Sequence, residues 1–283
     1  GAGPDDWLDA GNALLKSMAT AEVPPTIRLY DKALNAYAAG KTGAFAAAVS
    51  ELAALSKERA PAAVANAHRE TVFNRVEPFY QGTILYVLVF LLICLSWLWR
   101  PEASRRAAFW VLSLALFVHT AGLLARMWLQ GRPPVTNLIS SAIFVGWAAV
   151  LFAWILERVH KRGFAALAAS IIGFCTLIVA HHLAMSGDTL EMMQAVLDSN
   201  FWLGTHVVTI TIGYSSTFLA ALFAIVWILR RAAGRLDGAS SKALAQMTYG
   251  VVCFSLLLSF VGTMLGGIWA DQSWGRFWGW DPK

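Results

Sequence analysis

The residues of this sequence best suited to binding chemistry lie at its end, in the stretch WADQSWGRFWGWDPK. Four tryptophans fall within twelve residues there, namely Trp269, Trp274, Trp278 and Trp280. Glycines alternate with them and permit close backbone approach, and Asp281 follows the last tryptophan. Tryptophan also gathers at membrane interfaces, but that general preference does not account for the interleaved glycines. Large flat aromatic faces beside glycine suit a planar, largely apolar ligand.

Histidines are the second group of candidates. His181 and His182 lie near the end of one apolar run, and His206 lies at the start of the next. If each run crosses the membrane, all three lie at about the level of the tryptophans. A lone histidine at a membrane boundary is more often an interfacial polar residue than a metal ligand, and the nearby aromatic residues add weight to metal ligation. His119 lies inside another run, where a hydrogen bond to a neighbouring helix is the expected role and ligand binding is the alternative.

The elements that must position these residues are membrane helices. Of the 283 residues, 58% are hydrophobic and 14% are charged, which excludes an ordinary water-soluble domain. Six apolar runs cover residues 84–99, 107–124, 138–156, 164–183, 206–229 and 249–264, and each is roughly long enough to cross the hydrocarbon of a membrane as a helix. The predicted fold class is all-α: a polytopic membrane protein with about six transmembrane helices, an external N-terminal helical segment and an external Trp-rich loop.

Basic residues predict the orientation. Ten lie in the loops around residues 100–106, 158–162 and 230–242, against two in the loop around residues 126–132, so the first three loops are cytoplasmic by the positive-inside rule. Residues 1–78 and the tryptophans are then external. The basic clusters form no continuous face, so the net charge of +5 does not indicate nucleic acid.

Two domains are predicted. Residues 1–78 form an external helical segment, with apolar residues at helical spacing on both sides of an AGKTG break, and residues 79–283 form the transmembrane domain. The GKT triplet is not a phosphate loop, because Asn35 stands where that motif has its first glycine. The chain begins with Gly1 and stops inside a run of unusual residues, so a portion of a longer polypeptide is expected.

Haem is the ligand that accounts for the aromatic residues and the histidines together. Aromatic faces pack on a macrocycle and a neutral imidazole coordinates its iron, whereas a quinone or a lipid headgroup would need only the aromatic residues. Cys94, Cys175 and Cys253 fall inside apolar runs, and the sequence has no C-x-x-C motif. Neither a dithiol redox site nor a covalent haem attachment site is therefore encoded here.

The stretch GGIWADQSWGRFWGWDPK resembles the WWD signature of haem-handling proteins of cytochrome c assembly, and is most similar to the CcsA type, also called ResC or, when fused, CcsBA. GLLARMWLQGRPPVTN and SNFWLGTHVVTITIGYSS are similar to two further segments of that family. The resemblance implies that His206 is an axial ligand of haem b at the outer face. It also implies a haem platform formed by Trp269, Trp274, Trp278, Trp280 and Asp281.

The implied function is cytochrome c assembly. Haem is delivered across the membrane and presented on the WWD loop, where a cytochrome c synthase of the haem lyase type joins it by thioether bonds to an apocytochrome c bearing C-x-x-C-H. Expected partners are a CcsB-like half or subunit, the apocytochrome, a thiol-reducing protein and membrane lipid. A haem exporter or chaperone without ligase activity, as in the related CcmC and CcmF systems, and a non-haem transporter are the alternatives.

The sequence departs from the family pattern in two places. The family has a second external histidine and a membrane histidine after the signature, and this chain ends before either position. After Asn137 it reads LISSAIF where many relatives carry an acidic residue. The upstream stretch RETVFNRVEPFY is similar to the segment that enters the membrane in fused CcsBA forms, which implies the C-terminal part of such a fusion.

Overall fold

The computed structural model of the chain describes residues 10–20, 23–99, 101–185 and 199–277. The helices in these ranges are α1 (Ala10–Thr20), α2 (Pro25–Ala38), α3 (Thr42–Arg59), α4 (Pro61–Val76), α5 (Pro78–Leu98), α6 (Pro101–Gln130), α7 (Leu138–His160), α8 (Phe164–Ala184), α9 (Asn200–Trp202), α10 (Val208–Ala232) and α11 (Gly238–Trp274), with a π-helical turn at Leu203–Val207. None of the described residues is in a strand, so the all-α prediction is confirmed. The chain divides into two compact units between Arg75 and Val76.

The first unit contains the expected helical hairpin, formed by α2 and α3. Helix α2 ends in a Schellman motif: Gly40 adopts φ +66°, its N–H donates to the Tyr37 carbonyl, and the N–H of Lys41 donates to the Ala36 carbonyl. Buried alanines, including the fully buried Ala48, lie in the two helices. The AGKTG break predicted from the sequence is therefore the turn of this hairpin.

The second unit contains the membrane helices. All six predicted spans are observed as helices long and apolar enough to cross a membrane, and they are α5, α6, α7, α8, α10 and α11. Helix α11 differs from the prediction in extent, because it has 37 residues and continues to Trp274 rather than ending near residue 264. Trp269 and Trp274 therefore lie on the last turns of a helix.

Helix α8 lies at the centre of this unit. It packs against α5 and α7 and also contacts α6 and α10. Its inward residues are largely alanine and glycine, and Ala168 and Ala169 are fully buried. Small residues allow close helix approach in lipid, where the hydrophobic effect gives little drive for helices to associate. The composition of α8 thus explains its central position.

Local capping explains where α7 and α11 begin. The Asn137 side chain accepts a hydrogen bond from the Ser140 N–H at 2.7 Å, and the Ser140 hydroxyl accepts one from the Asn137 N–H at 2.8 Å. Ser140 lies in the LISSAIF stretch and has a capping role here. At α11, hydrogen bonds from the Ser240 side chain and backbone lower the pKa of the Asp237 carboxyl, which is the N-cap.

A buried polar contact links α5, α6 and α7. The fully buried His119 ring lies with Nδ1 2.9 Å from the Tyr86 hydroxyl and Nε2 3.1 Å from the Ile143 carbonyl oxygen. The carbonyl can only accept, so Nε2–H donates to it, and Tyr86 O–H donates to Nδ1. His119 thus bonds to both neighbouring helices, which is the role expected for it.

A substitution at Gly173 of α8 tests the packing around the contact between Tyr86 and His119. A Cβ atom at Gly173 would lie 2.7 Å from Tyr86 Cε2, and Tyr86 is fully buried and bonded to His119. We expect Gly173→Ala to destabilise the protein by about 1–3 kcal/mol through overpacking, measured as a lower thermal unfolding midpoint in detergent. Gly250→Ala is the control, because a Cβ there meets no atom within 4 Å. Equal midpoints for the two variants would contradict this account of the α5–α8 contact.

Candidate functional site

The site is built on the segment that leads into α10. One turn of α-helix, α9, passes directly into the π-helical turn Leu203–Val207, and His206 lies in that turn. A π-turn inserts a residue into the helical hydrogen-bond pattern and changes the direction in which side chains project, and such turns are frequent at functional sites. The sequence did not predict this π-helical turn, because the apolar pattern of the span continues through it.

His206 is held against α11. Its Nδ1 lies 2.8 Å from the Gly262 carbonyl oxygen, and its ring covers Gly266, where a Cβ atom would lie 2.6 Å from Cε1. Its ring centroid is 5.7 Å from that of Trp269. Residues 262, 266 and 269 are spaced at i, i+4 and i+7, so they share one face of α11. Gly266 makes room for the imidazole, the Gly262 carbonyl bonds to it, and Trp269 bounds it.

The hydrogen bond of His206 decides what its ring can do. The Gly262 carbonyl can only accept, so Nδ1 carries the proton and the neutral ring has its lone pair on Nε2. In the described part of the chain, no hydrogen bond occupies Nε2. His119 is the opposite case, because both of its nitrogens are used inside the bundle. Of these two histidines, His206 alone presents a nitrogen free to ligate.

Other aromatic residues surround this face of α11. The Trp202 indole N–H donates to Gln272 Oε1 at 2.8 Å, which fastens α9 to the end of α11. The Phe277 ring lies against Gly267, where a Cβ atom would be 2.6 Å from Cζ. Trp269 Nε1 is buried and has no hydrogen-bond partner among the residues that the structure describes, whereas Trp274 is 60% exposed. Sequence reasoning missed Trp202, Gln272 and Phe277, although Trp202 lies four residues before His206.

Among the described residues, no contact joins His181 or His182 to His206. Trp278, Trp280 and Asp281 lie outside the described residues. His181 and His182 are exposed at the end of α8, and His182 Nδ1 bonds to the Ile178 carbonyl of its own helix at 2.9 Å. Across residues 10–20, 23–99, 101–185 and 199–277, no three His, Cys, Asp or Glu side chains cluster as a metal site. Ligation here would rest on a single imidazole.

Comparison with known proteins identifies the family. A family model described as Cytochrome C assembly protein matches residues 135–283, which include His206, Trp269 and Trp274 and are more than half of the chain. The chain belongs to this family. It is 33% identical over 225 residues to Protein NrfI of Wolinella succinogenes, a match that covers 76% of this chain and 24% of NrfI. The chain thus spans about a quarter of the length of that relative.

Relatives of similar size carry the CcsA name. The chain is 26% identical over 241 residues to the cytochrome c biogenesis protein CcsA of Synechococcus sp. strain CC9605, with 73% of this chain and 79% of the relative covered. It is 24% identical over 238 residues to CcsA of Prochlorococcus marinus strain MIT 9303, with 71% and 74% covered. These matches confirm the CcsA-type resemblance and a general role in cytochrome c biogenesis.

The residues of the site fit a haem. A neutral imidazole with a free Nε2, such as that of His206, is a kind of donor that haem iron accepts, and the Gly262 carbonyl fixes the orientation of the ring. The buried N–H of Trp269, which no described residue bonds, is a donor suited to a carboxylate on the ligand. The exposed Trp274 adds an aromatic face on the same helix.

The tautomer of His206 is a direct prediction of this geometry. At a pH where both rings are neutral, we expect His206 to carry its proton on Nδ1 and His119 to carry its proton on Nε2. Isotope labelling of histidine nitrogens and solid-state NMR distinguish the two forms, with His206→Gln and His119→Gln assigning the signals. The same tautomer at both positions would refute the hydrogen-bond assignment.

Proposed function

We propose that this cytochrome c assembly protein holds haem b at the end of the bundle where α10 begins and α11 ends. The observation that carries the proposal is the pairing of His206 Nδ1 with the Gly262 carbonyl, which leaves Nε2 free beside Trp269. A membrane histidine whose second nitrogen is fixed by a backbone carbonyl is prepared for axial ligation of iron.

The contact with α11 gives His206 its orientation and its basicity. A carbonyl that accepts from Nδ1–H raises the donor strength of Nε2 and prevents rotation of the ring. Gly266 is needed because any side chain there would collide with the imidazole. Gly262 and Gly266 are positioning residues, and His206 is the ligand.

The tryptophans supply the apolar faces of the haem site. Trp269 lies beside His206, and Trp274 lies on the same helix about one turn and a half further on. In this proposal, Trp278, Trp280 and Asp281 complete the platform. The Trp269 N–H, which is buried and has no hydrogen-bond partner among the described residues, would donate to a haem propionate.

The proposed reaction is thioether formation between haem and the two thiols of a C-x-x-C-H apocytochrome. Each S–H adds across a haem vinyl group, with sulfur bonding to one carbon and hydrogen to the other, so no group leaves and no net oxidation occurs. No described side chain at the site is an evident general acid or base. The chain would act by positioning, since held geometry alone can lower a barrier by several kcal/mol.

The family resemblance supports a proposal for the partners and the location. We propose a CcsB-like half or subunit, an apocytochrome c with C-x-x-C-H and a thiol-reducing protein as partners, in a bacterial inner membrane with the His206 end periplasmic. Cys94, Cys175 and Cys253 are free thiols within the helices, so the reductant would act on the apocytochrome thiols.

Axial ligation is tested by His206→Ala in the full-length protein. We expect about tenfold less haem retained on purification and a shifted absorption spectrum, because the ligand is lost. Gly266→Ala should reduce retention in the same direction by displacing the ring. His182→Ala is the matched control, since His182 is exposed and bonded within its own helix. Unchanged spectra for His206→Ala would exclude axial ligation by this residue.

A second experiment separates a synthase from a haem exporter or chaperone. Membranes with the full-length protein are supplied with haem and a C-x-x-C-H substrate, and covalent haem is measured by haem staining after denaturation. We expect covalent attachment with the wild-type protein and much less with His206→Ala. Haem binding without attachment would refute the synthase and leave the chaperone function.

A further inference from the structure

A polar cavity lies at the opposite end of the bundle from His206. It has a volume of about 440 Å³ and is formed where α6 begins and α7 ends. Its charged lining residues are Glu102, Arg105, Arg106, Glu157, Arg158 and Lys161. Four cations thus face two carboxylates. Neither the haem site nor the proposed reaction uses this cavity.

One of the two carboxylates is already occupied. Glu157 is buried, and its oxygens accept hydrogen bonds from the backbone N–H groups of Gly163 at 2.7 Å and Ala166 at 3.2 Å. It therefore caps the start of α8. Glu102 is exposed in the first turn of α6, where a negative charge is favoured by the helix dipole. Both acids thus serve helix ends.

The four cations lack such partners. In the part of the chain that the structure describes, Arg105, Arg106, Arg158 and Lys161 form no ion pair. Arg105 is held in place by its stem, because its Cγ and Cδ atoms lie beside Gly163. Four positive groups around one cavity repel one another, and an anion bound between them would remove that cost.

The surroundings of the cavity indicate the kind of anion. Trp110, which also lines it, is 67% exposed, and Leu114 and Phe117 continue from it on the same face of α6 at helical spacing. From Trp110 to Phe117 this apolar stripe runs about 10 Å along the helix, most of the depth of one leaflet. A soluble anion would need only the cations. A phospholipid needs both the cations and the stripe.

We propose that this cavity binds the headgroup phosphate of an anionic phospholipid, whose acyl chain lies along Trp110, Leu114 and Phe117. Basic pockets between membrane helices are suited to such headgroups, and Trp110 lies at the level where an indole ring meets the interface. The bound lipid would neutralise the cations and fasten the start of α6 to the end of α7.

The test measures lipid binding to the full-length protein in a neutral detergent. Native mass spectrometry follows titration with dioleoyl phosphatidylglycerol or with dioleoyl phosphatidylcholine, which has the same acyl chains. We expect retention of the anionic lipid over the neutral one. Arg105→Gln combined with Arg158→Gln should weaken it about 25-fold, at about fivefold for each lost charge. Arg235→Gln combined with Lys242→Gln is the matched control, because it removes two charges from the α10–α11 connection and the first turns of α11 and should change binding little.

Two further measurements distinguish a lipid headgroup phosphate from free inorganic phosphate as the bound anion. Trp110→Ala combined with Phe117→Ala should weaken lipid binding, and millimolar inorganic phosphate should not displace the lipid. Folding of each variant is checked by its thermal unfolding midpoint in the same detergent. Any one of three results would overturn the proposal. These are equal binding of the two lipids, an equal loss of lipid binding in the two double charge variants, and full displacement of the lipid by inorganic phosphate.

Discussion

The close contact between α10 and α11 is the constraint on which the candidate site depends. Gly213 lies against Ser259, and its carbonyl accepts a hydrogen bond from Ser255 Oγ at 2.8 Å. One turn nearer the site, Gly262 lies against Ile210. Helices in lipid associate through such small residues, since burial of apolar side chains gives little advantage there. The same seam then brings the Gly262 carbonyl to His206.

The two membrane histidines show how hydrogen-bond partners separate structure from function. His119 is fully buried, and each of its nitrogens has a partner on a neighbouring helix, so its polar cost is met inside the protein. His206 is only partly buried and has one nitrogen bonded to a carbonyl. An imidazole with one nitrogen hydrogen-bonded and the other free can coordinate a metal ion without losing a hydrogen bond inside the protein. Residue type and depth in the membrane do not distinguish the two histidines, whereas their hydrogen-bond partners do.

Much of the fold could be predicted from the sequence, and part of the site. Apolar run length predicts the six spans, and the break at Gly40 predicts the hairpin, because both depend on local composition. The ring contact between His206 and Trp269 agrees with the sequence-based expectation that both lie near the same membrane boundary. The carbonyl of Gly262 and the π-turn could not be predicted, since a backbone acceptor and a helical defect leave no mark in residue type. Ser140 likewise has a capping role that its position in LISSAIF does not reveal.

The extent of α11 bears on how the site works. Hydropathy ends the span near residue 264 because the following residues include glycines, Asp271 and Gln272, yet the backbone continues as a helix to Trp274. Within a helix the backbone N–H and C=O groups bond to one another, so they need no other partner at the membrane boundary. The Trp202 indole N–H adds a hydrogen bond to the Gln272 side chain of this helix. Trp269 and Trp274 are therefore fixed to the bundle core by continuous helix. Groups carried on a helix are positioned more accurately than groups on a loop, which is what a site acting mainly by positioning requires.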